Sequence, residues 1–442
     1  MIIIGILLII VFGYGLTNVL VSKVNPIEKI ALGYILGIGI FTFIWFLMNL
    51  ISISYNLISG FSLLIILNII VLVVNKLKFG RWFRKIKFDF GYFKKLDTLE
   101  KIILGIIVFL YLSALIQNLY FPIRYWDSLV LYDFRAKLFA QSGFMNTAIA
   151  QGYFFGYPLL TSLAHTFVYV LGGNNPSFIY GLFYLSFIVL FSSNLKKLNL
   201  NRILVFILTL LVAISPRLFD HTQWAYTNLP YTVYIVLGSI YLYLGVKNKN
   251  FGSFVLSAIL IGLSTWTRSA EPFWLSCVGL AVVASVYLRK WLWPFVYTGL
   301  VALIMIPWKA FESAFNMDTA NVIGQVATTS STVVQNIQLS ILKPAFDFFT
   351  TNVIRMYLIY FVLLGIIILI KLITKSRKWF FTFLVIINLG LTFAGIMVFV
   401  KDVSFYQDIP DSLARMVMFL PPMIIYLLGL SFDELNKGKN EK

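Results

Sequence analysis

The sequence predicts an all-α polytopic membrane protein, and three observations predict it. Hydrophobic residues make up 60% of the chain and charged residues 12%, with a mean hydropathy of +0.90. A water-soluble globule of that composition could not cover its own apolar surface. The apolar residues form continuous runs rather than alternating ones, which excludes a porin-like barrel, and most Lys and Arg residues fall in every second gap between the runs. A helix rising 1.5 Å per residue needs about 20 apolar residues to cross the hydrocarbon.

Apolar runs fall at 1–20, 30–50, 57–75 and 102–120, then at 177–194, 203–216, 229–246, 252–267, 272–288, 291–308, 351–370, 379–400 and 414–432, giving 13 expected spans. The first 20 residues lack a basic leader and a small-residue cleavage site, so they read as a permanent span and not a signal peptide. The stretch 157–172 opens with Tyr-Pro and is short; it is expected as a helix lying at the outer surface. With that choice, 25 of the 35 basic residues and 7 of the 17 acidic ones fall on one side, and ten of each on the other. All of the net charge of +18 then sits on the side that the positive-inside rule makes cytoplasmic. The 121–176 loop is thereby placed outside a plasma membrane, and the basic excess is topological rather than a nucleic-acid footprint.

Three regions follow: an N-terminal three-span segment at 1–101, a membrane core at 102–432 and a cytoplasmic tail at 433–442. Within the first, 76–101 interleaves basic and aromatic residues and is expected to lie on the anionic inner leaflet. A second long outer loop, 309–350, is rich in Ser, Thr, Gln and Asn at 325–338, which fits a mobile lid or a plain connector. No internal repeat is evident, which weakens a transporter built from inverted halves. The single cysteine, Cys277, sits in an apolar run and reads as packing.

The 121–176 loop is the one long segment where acids, bases, aromatics, Pro and Gly collect at a membrane surface. Asp127 precedes SLVLYDFRAKLFAQSG, an amphipathic helix closed by Gly143. As a helix N-cap it would contribute about 1 kcal/mol. Flanked by Tyr125 and Trp126 just outside the bilayer, it is also suited to act as a general base, with aromatic faces for a sugar ring. Asp133 and Lys137 stand four residues apart, a spacing that allows them to pair.

A second constellation, RLFDHTQWAYTNLP at 217–230, sets Asp220 and His221 near Trp224 and Tyr226. Neighbouring residues rarely chelate together, and a metal would need further ligands from another loop, so hydrogen bonding to a polar substrate is the expectation. Next, Arg268 and Glu271 stand between two apolar runs, where a charge deep in the membrane costs about 3 kcal/mol. Either they pair with each other, or Arg268 holds a phosphate as a planar bidentate donor. Near the C-terminus Asp411 reads as the N-cap of the last span, with Arg415 in its first turn, at lipid headgroups or a substrate phosphate. His165, on the apolar helix of the large loop, reads as a packing residue.

In their order and sidedness, the aromatic-Asp step, the surface helix, Tyr-Pro-Leu-Leu, Asn-Leu-Pro and Thr-Arg-x-x-Glu-Pro together resemble the GT-C superfamily of integral membrane glycosyltransferases. The similarity is greatest to the branch with protein O-mannosyltransferases and lipid A aminoarabinose transferases, and covers roughly 102–432. It implies inverting transfer of a sugar from a polyprenyl-phosphate donor to a hydroxyl of a glycan, lipid or protein on the outer face. Asp127 would be the base, and Arg268, with Lys137 or Arg415, would hold the donor phosphate. Tyr125, Trp126, Asp133, Asp220, His221, Tyr226, Asn228 and Glu271 would line the substrate. Asn228 stands where relatives often carry an acid, so no cofactor is expected and a divalent metal remains an alternative only if Asp220 substitutes. Two other classes fit less well: a lipid-linked oligosaccharide polymerase or ligase, and a transporter or lipid flippase.

Overall fold

In hydrocarbon a backbone has no water to bond, so an apolar run must satisfy its own peptide groups as a helix. The computed structural model describes residues 1–22, 24–80, 95–150, 157–268, 271–315, 339–373, 379–402 and 410–440, and among them there is no strand. The chain opens with α1 (Ile2–Leu20), α2 (Pro26–Leu50), α3 (Leu57–Phe79) and α4 (Thr98–Tyr120). A π-helical turn (Ser128–Asp133) leads into α5 (Phe134–Ser142), followed by α6 (Met145–Ala150) and α7 (Leu160–Val170). Then come α8 (Phe178–Leu195), α9 (Arg202–Ala213), α10 (Pro216–Trp224), α11 (Asn228–Lys247), α12 (Phe251–Thr267), α13 (Trp274–Tyr287) and α14 (Leu292–Ala314). The last are α15 (Leu339–Phe349), α16 (Arg355–Ile373), α17 (Phe380–Asp402), α18 (Pro410–Met416) and α19 (Leu420–Asn440).

Among the described residues nine helices are long and apolar enough to cross a membrane, ten if α9 and α10, bent by 55°, count as one. The chain is thus an all-α, multi-pass membrane protein. The expected spans at 252–267 and 272–288 fall on α12 and α13, which have 17 and 14 residues, and that at 414–432 falls on α19. Helix starts differ from the hydropathy edges where caps act. The Asn25 side chain accepts from the Glu28 backbone N–H at 2.8 Å, so α2 begins before residue 30. A capping box of Asp97 and Glu100 starts α4 before residue 102. The basic segment expected on the inner leaflet lies, at 81–94, outside the described residues, as does 316–338 of the second long loop.

Helix α11 is the centre of the bundle, 89% buried along its apolar window, whereas α4 is 17% buried and turns Ile106, Phe109, Ile116 and Leu119 outward. Helices α11 and α12 form an antiparallel pair, α12 packs on α14, and α2 packs on α8. One hydrophobic core runs from Ile9 to Leu430, so the three N-terminal helices share it with the rest. The α1–α2 crossing is backbone on backbone: a Cβ on Gly13 would meet the Gly33 carbonyl oxygen at 2.0 Å, and one on Gly37 would meet that of Ile9 at 2.2 Å.

Helix α7 has 11 residues, too few to span, and Leu160 through Val168 are all buried within the protein, against α2, α5 and the π-helical turn. The short link at 248–250 folds α12 back along α11, which brings Thr227, Asn228 and Arg268 to the same end of the bundle.

Candidate functional site

Arg268 follows the last turn of α12 in extended conformation, which turns its side chain across the start of α11. Its Nε donates to Glu271 Oε1 at 2.5 Å, and Nη2 lies 2.5 Å from the same oxygen. Nη1 donates to Thr227 Oγ1 at 3.2 Å and to Asn228 Oδ1 at 3.3 Å, while the guanidinium lies 4.9 Å from the Tyr157 ring centre. A guanidinium has five N–H groups, so these contacts leave one, on Nη2. The salt bridge with Glu271, one of the two readings of this pair in the sequence, is present, and the remaining N–H has no acceptor among the described residues. Glu271 Oε2 is buried and has no donor among the described residues.

Asn228 joins this arginine to a second. Its Nδ2 donates to the Arg415 carbonyl oxygen at 3.2 Å, while its Oδ1 accepts from Arg268. An aspartate there could not donate, so the amide suits the position. Arg415 belongs to α18, a separate short helix ahead of α19, and not to the first turn of the last span. The Asp411 side chain, expected to cap that span, lies outside the described residues. Arg415 Nη1 stands 3.0 Å from Asp127 Oδ2, and its guanidinium lies 5.2 Å from the Tyr226 ring centre. Asp127 is not an N-cap: its backbone is already helical and its carboxylate makes no cap bond. That side chain is 37% exposed, against 3% for Glu271.

Beside this pair stands an aromatic wall. Tyr125 packs 5.4 Å from Trp224, and Trp224 lies 4.6 Å from His221 and 5.7 Å from Tyr226. Trp126, by contrast, is 75% exposed. His221 Nδ1 faces the Arg217 carbonyl oxygen at 2.7 Å, so it carries the proton, and buried Nε2 has no partner. Burial pushes the imidazole down to about 3. Partial burial lifts the Asp220 carboxyl above its ordinary range, with Arg217, 3.4 Å away, pulling the other way. Among the described residues no three of His, Cys, Asp and Glu form a metal-holding group, so Asp220 and His221 gain no third ligand.

Asp133 and Lys137 form a different cluster. Lys137 Nζ lies 2.8 Å from Asp133 Oδ2, Tyr169 donates its hydroxyl to Oδ1, and His165 Nδ1 lies 3.3 Å from Oδ1. Burial would raise the Asp133 carboxyl, but His165, Lys137 and Tyr169 outweigh it and hold it at about 2. His165, fully buried, also meets the Tyr180 hydroxyl at 3.0 Å, in keeping with a packing role. The Lys137 side chain is 51% exposed and pairs with Asp133, as the four-residue spacing allows.

Four residues that sequence reasoning passed over complete the site. Tyr132 reaches Thr227 Oγ1 at 3.2 Å, and Tyr157 lies under Arg268. Buried Arg135 donates to the Tyr157 carbonyl oxygen at 3.0 Å and to Ser162 Oγ at 2.9 Å, which fixes the Tyr-Pro step. An arginine in a helix that packs on a second apolar helix was the available signal. No family model, curated protein or solved structure matches this chain.

Proposed function

We propose that this protein is a GT-C-type glycosyltransferase that moves a sugar from a polyprenyl-phosphate donor to an acceptor hydroxyl. The observation that carries the reading is a run of contacts at one end of a membrane bundle: Arg268 to Thr227 and Asn228, Asn228 to the Arg415 carbonyl oxygen, and the Arg415 guanidinium to Asp127. With 13 spans, as the charge distribution implies, that end faces outward across a plasma membrane.

In this mechanism Asp127 takes the proton of the acceptor hydroxyl. The oxygen attacks the anomeric carbon from the face opposite the phosphate, the bond from that carbon to the phosphate oxygen breaks, and the configuration inverts. The leaving lipid phosphate gains charge, which Arg415 and the remaining N–H of Arg268 stabilise in a water-poor site. At rest Arg415 pairs with Asp127, so an arriving phosphate competes for the guanidinium and releases the carboxylate to act as base. Tyr125, Trp224 and Tyr226 supply aromatic faces for the sugar ring. Lys137, expected as a further phosphate ligand, pairs with Asp133 at 2.8 Å, and this mechanism does not use it.

The experiment is a transfer assay in proteoliposomes. The purified protein is given polyprenyl-phosphate monosaccharides with an envelope extract as acceptor, and released polyprenyl phosphate is measured by mass spectrometry. Release that stops in Asp127→Asn supports the reading. Movement of lipid across the bilayer with no cleaved donor and no new covalent product overturns it in favour of a flippase.

A further inference from the structure

A cavity lies far from the arginines. It holds about 770 Å³ where α1, α8 and α11 end and α2 and α12 begin, a volume in the range of small-molecule sites. Asn228 opens α11 and Lys247 closes it, so the 20 residues of that helix separate the two sites by about 30 Å.

The lining has two characters. Lys196, Lys197 and Lys247 line it, with Glu28 as the one carboxylate among the lining residues. Leu20, Val24 and Leu244 form apolar wall. Lys197 Nζ lies 2.5 Å from Glu28 Oε1, and the Tyr241 hydroxyl donates to the same oxygen at 2.7 Å. Glu28 Oε2 is buried and has no donor among the described residues. Lys247 Nζ stands 3.8 Å from Asp433 Oδ2 and 5.3 Å from the Tyr243 ring centre. At this end α12 packs closely on the end of α1, since a Cβ on Gly252 would sit 1.9 Å from the Leu20 carbonyl oxygen.

We infer that this cavity is a binding site for a phosphodiester whose headgroup carries a hydroxyl or ammonium donor. The lysines take the phosphate, the headgroup donor meets the carboxylate of Glu28, and the apolar wall takes the glycerol end of a lipid. Basic pockets between membrane helices bind anionic headgroups in this way. The site is independent of glycosyl transfer, since none of its residues belongs to the arginine site.

The test uses the full-length protein in nanodiscs of phosphatidylcholine with a minor share of phosphatidylglycerol, read by native mass spectrometry and by Tm. Lys196→Gln with Lys247→Gln removes two charges from exposed side chains and leaves the Lys197–Glu28 pair in place. The wild type is expected to retain phosphatidylglycerol over phosphatidylcholine and to gain Tm with it. The double variant, at unchanged helix content, is expected to lose retention about 30-fold, as two surface cation contacts imply. If inorganic phosphate alone displaces the lipid and raises Tm equally, the phosphate chemistry stands and the ligand is a free phosphate. Equal retention of both lipids with no effect of phosphate, or wild-type retention in the double variant, overturns the inference.

Discussion

Asp127→Asn separates catalysis from folding more cleanly than any other change at the arginine site. The carboxylate and the Arg415 guanidinium are 3.0 Å apart, with side chains 37% and 13% exposed. At that distance Coulomb's law gives about 1 to 5 kcal/mol for effective dielectrics between water and a protein surface. Exposure of Asp127 places the pair near the lower limit, and the cost of ordering two side chains leaves a net value of about 1 kcal/mol or less. Asparagine keeps the shape and still offers Arg415 an oxygen. The variant should therefore unfold within about 2 °C of wild type. Loss of a general base costs about 10²- to 10⁴-fold in turnover, about 3 to 5 kcal/mol on the barrier. The assay is release of polyprenyl phosphate in proteoliposomes, with Tm measured on the same preparation. Turnover within a few-fold of wild type would remove Asp127 as the base. A collapse of Tm would show instead that its pairing is structural.

Three other expectations follow from the geometry. Arg268→Ala strands Glu271, whose side chain is 3% exposed, and should cost about 3 to 5 kcal/mol, with partial recovery when Glu271→Ala is added; a double variant no more stable than the single would contradict the pairing argument. Asp133 is held at about 2 when folded and rises to near 3.8 when unfolded. Its stabilisation is therefore complete above about pH 4 and lost as pH falls toward 2. Asp133→Asn should flatten Tm against pH in that window, and an unchanged slope would refute the assignment. Gly13→Ala would drive a methyl group to 2.0 Å from the Gly33 carbonyl oxygen, so α1 and α2 must part. The expected loss is about 1 to 3 kcal/mol, read by Tm, and a neutral result would mean that the crossing is looser than described.

Hydropathy made the helices legible, because a continuous apolar run has one solution in a membrane. Their starts were less so, since the Asp97–Glu100 box overrides the edge of the apolar run that follows it. The Arg268–Glu271 pair was open to reading from its three-residue spacing, and Gly143 ends α5 in left-handed conformation as its position implies. The Asp127–Arg415 contact was not legible as a pair: it joins residues 288 positions apart, and nothing local to either names the other. Helix α7 was not legible as buried within the protein, because shortness and polar residues suit an exposed helix equally well. Its Thr166 hydroxyl donates to the Ser162 carbonyl oxygen and its Ser162 side chain accepts from Arg135, which lets both be buried.

The central claim is that the arginine site holds a lipid phosphate, and mass spectrometry of co-purifying lipids tests it most directly. The comparison is wild type against Arg415→Gln, since Arg268→Ala would confound binding with the loss of the buried ion pair. The account expects polyprenyl phosphate or its glycoside on the wild type, depleted in the variant at equal helix content. Bulk phospholipid alone on both proteins would contradict it.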